Sequence, residues 1–267
     1  MTAELRLDER QGTSWRRGLS PLLQRENRKW WAGRRWLIQT IIWVGLLDGL
    51  LAFALYGLPQ MSAADGITIT PEEAFDAGRQ MFFGVGMLGL ALGAIVLMQD
   101  AIIDEKGTGT AEWLLSKPVS RTAYVIAKLL PNLLGMAVTM RLIPSLIGYA
   151  LFRSFYPEAI SLASFLASMG MVALNLFFYI TLTLMLGVLF KSRPPLLGVA
   201  LGSLLGGLLF PIAAIVQFTP WKLSDLVLLP VMGLALPPMA VTMLVSTAVW
   251  SIFFIVVAIW RMNRLEF

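Results

Sequence analysis

The sequence predicts an all-α polytopic membrane protein, and three observations carry that reading. Of its 267 residues 57% are hydrophobic and only 14% charged, whereas a soluble domain carries about a quarter charged residues. Several apolar runs reach about twenty residues, the length a helix needs to cross the hydrocarbon. The short alternating strands of a transmembrane barrel are not visible in it.

Six spans are expected from the runs, at 36–56, 81–101, 129–152, 162–189, 195–216 and 239–260. The first, Trp36 to Tyr56, rises about 31 Å at 1.5 Å per residue. It does not read as a cleavable signal peptide, because a charged stretch of 35 residues precedes a long apolar run and no small-residue cleavage site comes after it. Within residues 1–35, the stretch SPLLQRENRKWWAGRRW sets Leu22, Leu23, Trp30 and Trp31 among Arg25, Arg28, Lys29, Arg34 and Arg35. It reads either as an interfacial helix in the headgroup region or as a topology anchor. Before the second span, DGITITPEEAF carries a helix start, with Thr70 as N-cap, Pro71 at the first helical position and Glu73 three residues after the cap. Between spans five and six, residues 217–238 are apolar but interrupted by Pro220, Pro230, Pro237 and Pro238. Neither half can cross, so a re-entrant helical hairpin dipping in from outside is expected.

Lys and Arg set the orientation. The N-terminal 35 residues hold nine, the 102–128 loop four, the 190–194 turn two and the tail two, against Arg79, Arg153 and Lys222 on the other side. The positive-inside rule then makes both termini cytoplasmic, as expected of a protein of the cell (plasma or inner) membrane.

Cysteine and histidine are absent, which excludes disulfides, thiolate or imidazole metal sites and Cys or His catalytic dyads. No acidic spacing argues for a metal held by carboxylates alone. The pI is near 9.7, yet the basic residues lie where membrane topology requires them, so nucleic acid is not read as a partner. A P-loop needs Gly followed by Lys, and the chain has no Gly-Lys pair. It therefore binds no cofactor by any motif visible here and is not read as an enzyme.

The loop IIDEKGTGTAEWLLSKPVSRTAYVIAK, Ile102 to Lys128, is crowded with charge, glycine and caps. The second helix is expected to stop at Gly107. Thr108 or Thr110 then caps a short helix from Thr110 to Ser116, with Glu112 in its first turn and Trp113, Leu114 and Leu115 presented. Pro118 ends that segment, and Ser120 caps a third long helix starting at Arg121. Such a knob fits a groove on a partner; an amphipathic segment resting on headgroups is the other reading.

The pattern Glu105, Gly109-Thr110-x-Glu112-x-Leu114-Leu115-Ser116-x-Pro118-x-Ser120-Arg121 and then Lys128 resembles the signature between the second and third spans of ABC-2-type transporter permeases, the transmembrane subunits of type V-like ABC exporters. The stretch LLQRENRKWWAGRRW, with Glu26 as its acidic residue, is similar to that family's N-terminal elbow helix. The resemblance covers essentially the whole chain. It implies that Thr110–Ser116 is a coupling helix docking, with Trp113 and its neighbours, in a cleft of an ATP-binding subunit. It also implies two such cytoplasmic subunits, which bind the ATP and Mg, and a second permease copy, as a homodimer or a heterodimer.

Inside the bilayer, Asp48 and Arg141 each lie 12 residues from the start of a span that leaves the cytoplasmic side, hence at a common depth of about 18 Å. An ion pair between them, within one chain or between two subunits, is expected, since lone charges there cost about 2.5–3.5 kcal/mol; a substrate contact along the pathway is the other reading of Asp48 and Arg141. Asn175, Thr181 and Thr183 are expected to hydrogen-bond between helices, with Asn175 also a pathway candidate. Gly198, Gly202 and Gly206 form a GxxxGxxxG seam for close helix approach within the subunit, at a dimer interface or along the pathway, and Gly89 and Gly93 read as internal packing. The leading functional reading is a permease coupled to a separate ATPase and exporting a substrate through the membrane. The alternatives are a mechanical or scaffold subunit working an extracytoplasmic partner at 57–80 or 217–238, and an ion-coupled secondary transporter using Asp48.

Overall fold

The structure, a computed structural model, describes residues 15–157, 160–209 and 218–265. An amphipathic helix α1 (Leu19–Trp31) leads into α2 (Arg35–Ala64), α3 (Pro71–Gly107), the short α4 (Thr110–Leu115), α5 (Arg121–Phe155), α6 (Leu162–Leu189), α7 (Arg193–Leu209), the short α8 (Leu223–Val227) and α9 (Met239–Asn263). Five of these, α2, α3, α5, α6 and α9, are long and apolar enough to cross a membrane. The expected fifth span, 195–216, is described as helix only through Leu209; its remainder lies outside the described residues.

Local chemistry sets the helix starts. Thr70 and Glu73 form the expected capping box: the Thr70 hydroxyl accepts from the Glu73 N–H at 3.2 Å, and the Glu73 carboxylate accepts from the Thr70 N–H at 2.8 Å. Ser161 begins α6 in the same way, accepting from the Ser164 N–H at 3.0 Å. The long helices are not uniformly α. Wide π turns interrupt α2 at Val44–Asp48 and Phe53–Gly57, α3 at Gln80–Val85 and α5 at Ala137–Leu142. The last sits just before Pro144. Proline has no N–H for the carbonyl four residues back and crowds it, and a π turn takes that carbonyl out of the α register.

Helix α6 is the axis of the bundle: its apolar window is 78% buried, against 28% for α9. It packs on α3, α7 and α9, and Phe82, Phe83, Phe152 and Phe165 fill the junction of α3, α5 and α6. Of the expected re-entrant hairpin, 217–238, the structure describes residues 218–238. They form a single 3-10 turn at Pro220–Lys222, the five-residue α8, and another 3-10 turn at Pro230–Met232. Pro220 and Pro230 each open a turn, and Gly233 in the left-handed region at φ 72° closes the second.

Helix α1 rests on the protein more than the interfacial reading implies, with Leu22, Glu26 and Trp30 buried. Trp30 lies flush on Gly135 of α5, where a Cβ would overlap its ring. Its indole N–H donates to Asn132 Oδ1 at 2.8 Å, and Asn132 donates to the Lys128 carbonyl at 2.7 Å. Gly135→Ala is expected to cost about 1–3 kcal/mol by overpacking, measured as a lower unfolding midpoint in detergent. An unchanged midpoint would show that the ring is not seated there.

Candidate functional site

The end of the bundle carrying α4 is also the basic end. Gly109, at φ 69°, reverses the chain after α3 and is the N-cap of α4. Neither threonine caps this helix: the Thr108 hydroxyl bonds to the Asp104 carbonyl and shares a 2.9 Å contact with the Thr110 hydroxyl. Ser120 stands at the N-cap position of α5 without using its side chain there. Its N–H donates instead to the Arg17 carbonyl at 3.0 Å, which fastens the loop to the segment before α1. Within α4, Ala111 and Leu114 turn inward, Leu115 is half-buried, and Glu112 and Trp113 face out. Trp113 is 60% exposed and lies under the Lys117 ammonium, 3.5 Å from the ring centroid. Ser116 donates to the Trp113 carbonyl at 2.8 Å, and Pro118 is exposed behind it. The knob is thus rigid in backbone and apolar at its tip.

Glu105, expected at the docking surface, is instead 8% exposed. It accepts from Lys128 at 2.6 Å and from the Tyr124 hydroxyl at 2.8 Å, with Arg25 and Lys29 of α1 each at 3.3 Å. Lys128, 3% exposed, also reaches Glu26 of α1 at 2.9 Å, and Glu26 holds Lys29 at 2.7 Å. The buried charges are therefore paired and hydrogen-bonded, as a low-dielectric site requires. The cluster joins α1, α3 and α5 at one point directly behind α4. Sequence reasoning misses this knot because the contacts that join its three helices link residues 19 to 102 positions apart. The available signal is that Glu105 and Lys128 stand at either end of the same motif.

Three further cations tie the remaining helix ends to this loop. Lys106 donates to the carbonyls of Gly187, Val188 and Phe190 at 2.9, 2.6 and 3.2 Å, which caps the C-terminus of α6. Arg121, expected only as part of the motif, donates to the Asn263 carbonyl at 2.8 Å at the end of α9. Arg193, at the start of α7, bonds Asp100 and Asp104 of α3, both at 2.7 Å. Hydrogen bonding to Asp104 and the two carboxylate charges raise the Arg193 pKa above the ordinary arginine value, so this clamp stays charged at any physiological pH.

Within one chain Asp48 and Arg141 make no ion pair: both are buried, at 4% and 5% exposure, yet no nitrogen–oxygen contact within 4.0 Å joins them. Both Asp48 oxygens lack a hydrogen-bond partner, as do Nε and Nη1 of Arg141. The guanidinium lies 5.7 and 5.9 Å from the Phe82 and Phe83 rings and against the Met169 sulfur. Asp48 and Arg141 each stand in a π turn, and Phe82 and Phe83 in a third. Residue counts give depth along a helix, but a wide turn rotates the residues beyond it, so depth alone does not set facing.

Asn175 does bridge helices, donating to the Met87 carbonyl at 3.3 Å. Thr181 and Thr183 do not; their hydroxyls bond carbonyls of their own helix, at Phe177, Phe178 and Tyr179. Asn175 and Tyr179 line a cavity of about 320 Å³ with Met87, Leu204 and Trp221, to which the Lys222–Asp225 ion pair at 3.0 Å also contributes. The glycine seam divides. Gly206 is packed under Trp221, whereas Gly198 and Gly202 are exposed, with nothing among the described residues within 4 Å of where a Cβ would stand. Gly89 and Gly93 pack internally, against Trp43.

No curated protein matches the chain. A family model described as ABC-2 family transporter protein matches residues 24–266, from the middle of α1 to beyond the end of α9. That span takes in the membrane-crossing helices, the α4 knob and the charge knot behind it, so the chain is an integral membrane protein that belongs to the ABC-2 family of transporter proteins.

Proposed function

We propose that this chain is the membrane-spanning permease subunit of an ATP-binding cassette exporter and that α4 is the helix through which a separate ATPase drives it. Two cytoplasmic subunits bind the ATP and Mg, and both termini of the permease lie on their side of the cell membrane. The observation that carries this reading is the half-sunk, rigid α4 with Trp113 exposed at its tip. Lateral or upward force on α4 reaches α1 through Glu105, α6 through Lys106 and α9 through Arg121. The loop is therefore a transducer connected to most of the bundle at once. A second copy of the chain is seated against the face bearing Gly198 and Gly202, whose lack of side chains favours close helix approach. Cargo crosses between the copies.

The test places a photo-crosslinking residue at Glu112 in the full-length chain in native membranes, with a second at Ile67 on the opposite side as control. Cross-links to an ATP-binding subunit from position 112 alone are expected. Trp113→Asp is expected to lower retention of that subunit about tenfold or more, a loss of about 1.4 kcal/mol or more, as when a buried aromatic anchor is removed. Cross-links from position 112 to lipid alone would return α4 to a headgroup-resting segment and sink the proposal.

A further inference from the structure

We infer that a cavity between α1, α3 and α5 at the basic end is a binding site for the headgroup of a phosphatidylethanolamine molecule from the adjacent leaflet. The cavity measures about 370 Å³, at the lower end of the roughly 300–1,000 Å³ range of small-molecule pockets. It is therefore sized for a headgroup and not for a whole amphipathic cargo.

Its wall is built, not incidental. Glu26, Glu105, Lys128 and Asn132 all line it, and each is more than nine-tenths buried. Trp30 and the Lys128 carbonyl hold the Asn132 carboxamide at both ends. Arg35 also lines the cavity and has no carboxylate within ion-pair distance among the described residues. Its guanidinium lies 4.3 Å from the Trp30 ring centroid, so one face is covered and the rest remains available to a phosphate.

The charge census gives the cavity two unlike parts. On the knot side of the lining, three bases (Lys29, Arg35 and Lys128) stand against two acids, Glu26 and Glu105. Around the α3 wall, Asp100 and Asp104 share one base, Arg193. A surplus of positive charge and a surplus of negative charge therefore line one space. A ligand carrying a phosphate and an ammonium a few bonds apart complements both. Phosphoethanolamine supplies three N–H donors for Asp100 and Asp104. A choline headgroup has none, and a glycerol headgroup has no cation.

Depth selects a lipid over a soluble molecule. Val96 also lines the cavity and is 50% exposed, and Leu37 and Ile38, just beyond Arg35, are 43% and 50% exposed. In a chain that spans a membrane, apolar side chains exposed on these helices face acyl chains. The opening thus lies where headgroup meets hydrocarbon. The inference is independent of which protein meets Trp113.

The experiment uses the full-length chain purified in detergent and equilibrated with mixed micelles of phosphatidylethanolamine, phosphatidylcholine and phosphatidylglycerol of identical acyl composition. Lipid retained per chain is counted by native mass spectrometry. The wild type is expected to retain phosphatidylethanolamine preferentially. Asp100→Asn is expected to reduce its preference over phosphatidylcholine about tenfold, as for loss of one charge-assisted hydrogen bond. Arg35→Gln is expected to weaken both lipids together, since both carry the phosphate. Val96→Trp, which fills the opening without touching a charge, is expected to exclude both, and it keeps the test decisive if either polar variant fails to fold. Equal retention of the three lipids by the wild type would overturn the inference. So would preferential retention of phosphatidylglycerol, or competition by soluble phosphoethanolamine as effective as that by the lipid.

Discussion

Lys128→Met is expected to destabilise the protein by about 3–5 kcal/mol, the range for removing one partner from a buried ionic cluster. The side chain is 3% exposed and lies 2.6 and 2.9 Å from the Glu105 and Glu26 carboxylates. Its removal leaves two buried anions sharing Lys29 and Arg25, which are about 40% exposed in their side chains and reach Glu105 only at 3.3 Å. Methionine matches the volume, so the loss isolates charge from packing. The triple variant Lys128→Met, Glu105→Gln, Glu26→Gln leaves no unpaired anion and is expected to recover most of that stability, because neutral groups of similar shape cost far less to bury. Denaturant unfolding in mild detergent measures both. A single-variant loss below about 1 kcal/mol would place Lys128 in water, at the level of an exposed pair, and would remove the mechanical link between α1 and α5. Loosening the knot is expected to weaken coupling even with Trp113 intact.

Legibility in the sequence depends on the range of the interaction. The Thr70–Glu73 cap and the breaks at Gly107 and Pro118 are decided within four residues, and there sequence and structure agree. The sequence points to a threonine cap for α4, yet a left-handed glycine at the junction, Gly109, makes a side-chain cap unnecessary. Glu105 reads as a surface contact because it belongs to the loop motif; the arrival of α5, with Tyr124 and Lys128, and of α1, with Arg25 and Lys29 some 80 positions away, buries it. Apolarity alone suggests two half-helices in residues 218–238, but the spacing of Pro220 and Pro230 leaves room for one five-residue helix between them. Fold class and family are written in composition and motif. The knot, the caps supplied by Lys106 and Arg121, and the facing of intramembrane charges are tertiary facts.

The double variant Asp48→Asn, Arg141→Met is expected to be more stable than the wild type by about 1–4 kcal/mol, the gain measured when buried charges give way to groups of similar volume. The balance is opposite to that at Lys128. Lys128 is contacted by both of its acids, whereas Asp48 and Arg141 are buried, do not touch, and leave four polar atoms without a partner. Each isolated charge at mid-helix carries an insertion cost of about 2.5–3.5 kcal/mol, only partly offset for Arg141 by the Phe82 and Phe83 rings at 5.7 and 5.9 Å. The two single variants are expected to be only weakly coupled, by about 1 kcal/mol, since the buried charges make no contact within 4.0 Å yet share Phe82 as a neighbour. A coupling of about 2 kcal/mol or more in a double-mutant cycle would show that the two charges do meet in the membrane and that the π turns at Val44–Asp48 and Ala137–Leu142 do not hold them apart. If stability rises while transport falls, the cost of these charges belongs to the working cycle: π turns on α2, α3 and α5 converge on this one locus, and a wide turn that tightens rotates its charge toward or away from the other. On the proposed coupling through α4, force would travel along α3 and α5, the helices that flank it in the chain and carry Phe82 and Arg141, which would put the mid-membrane charges on that path.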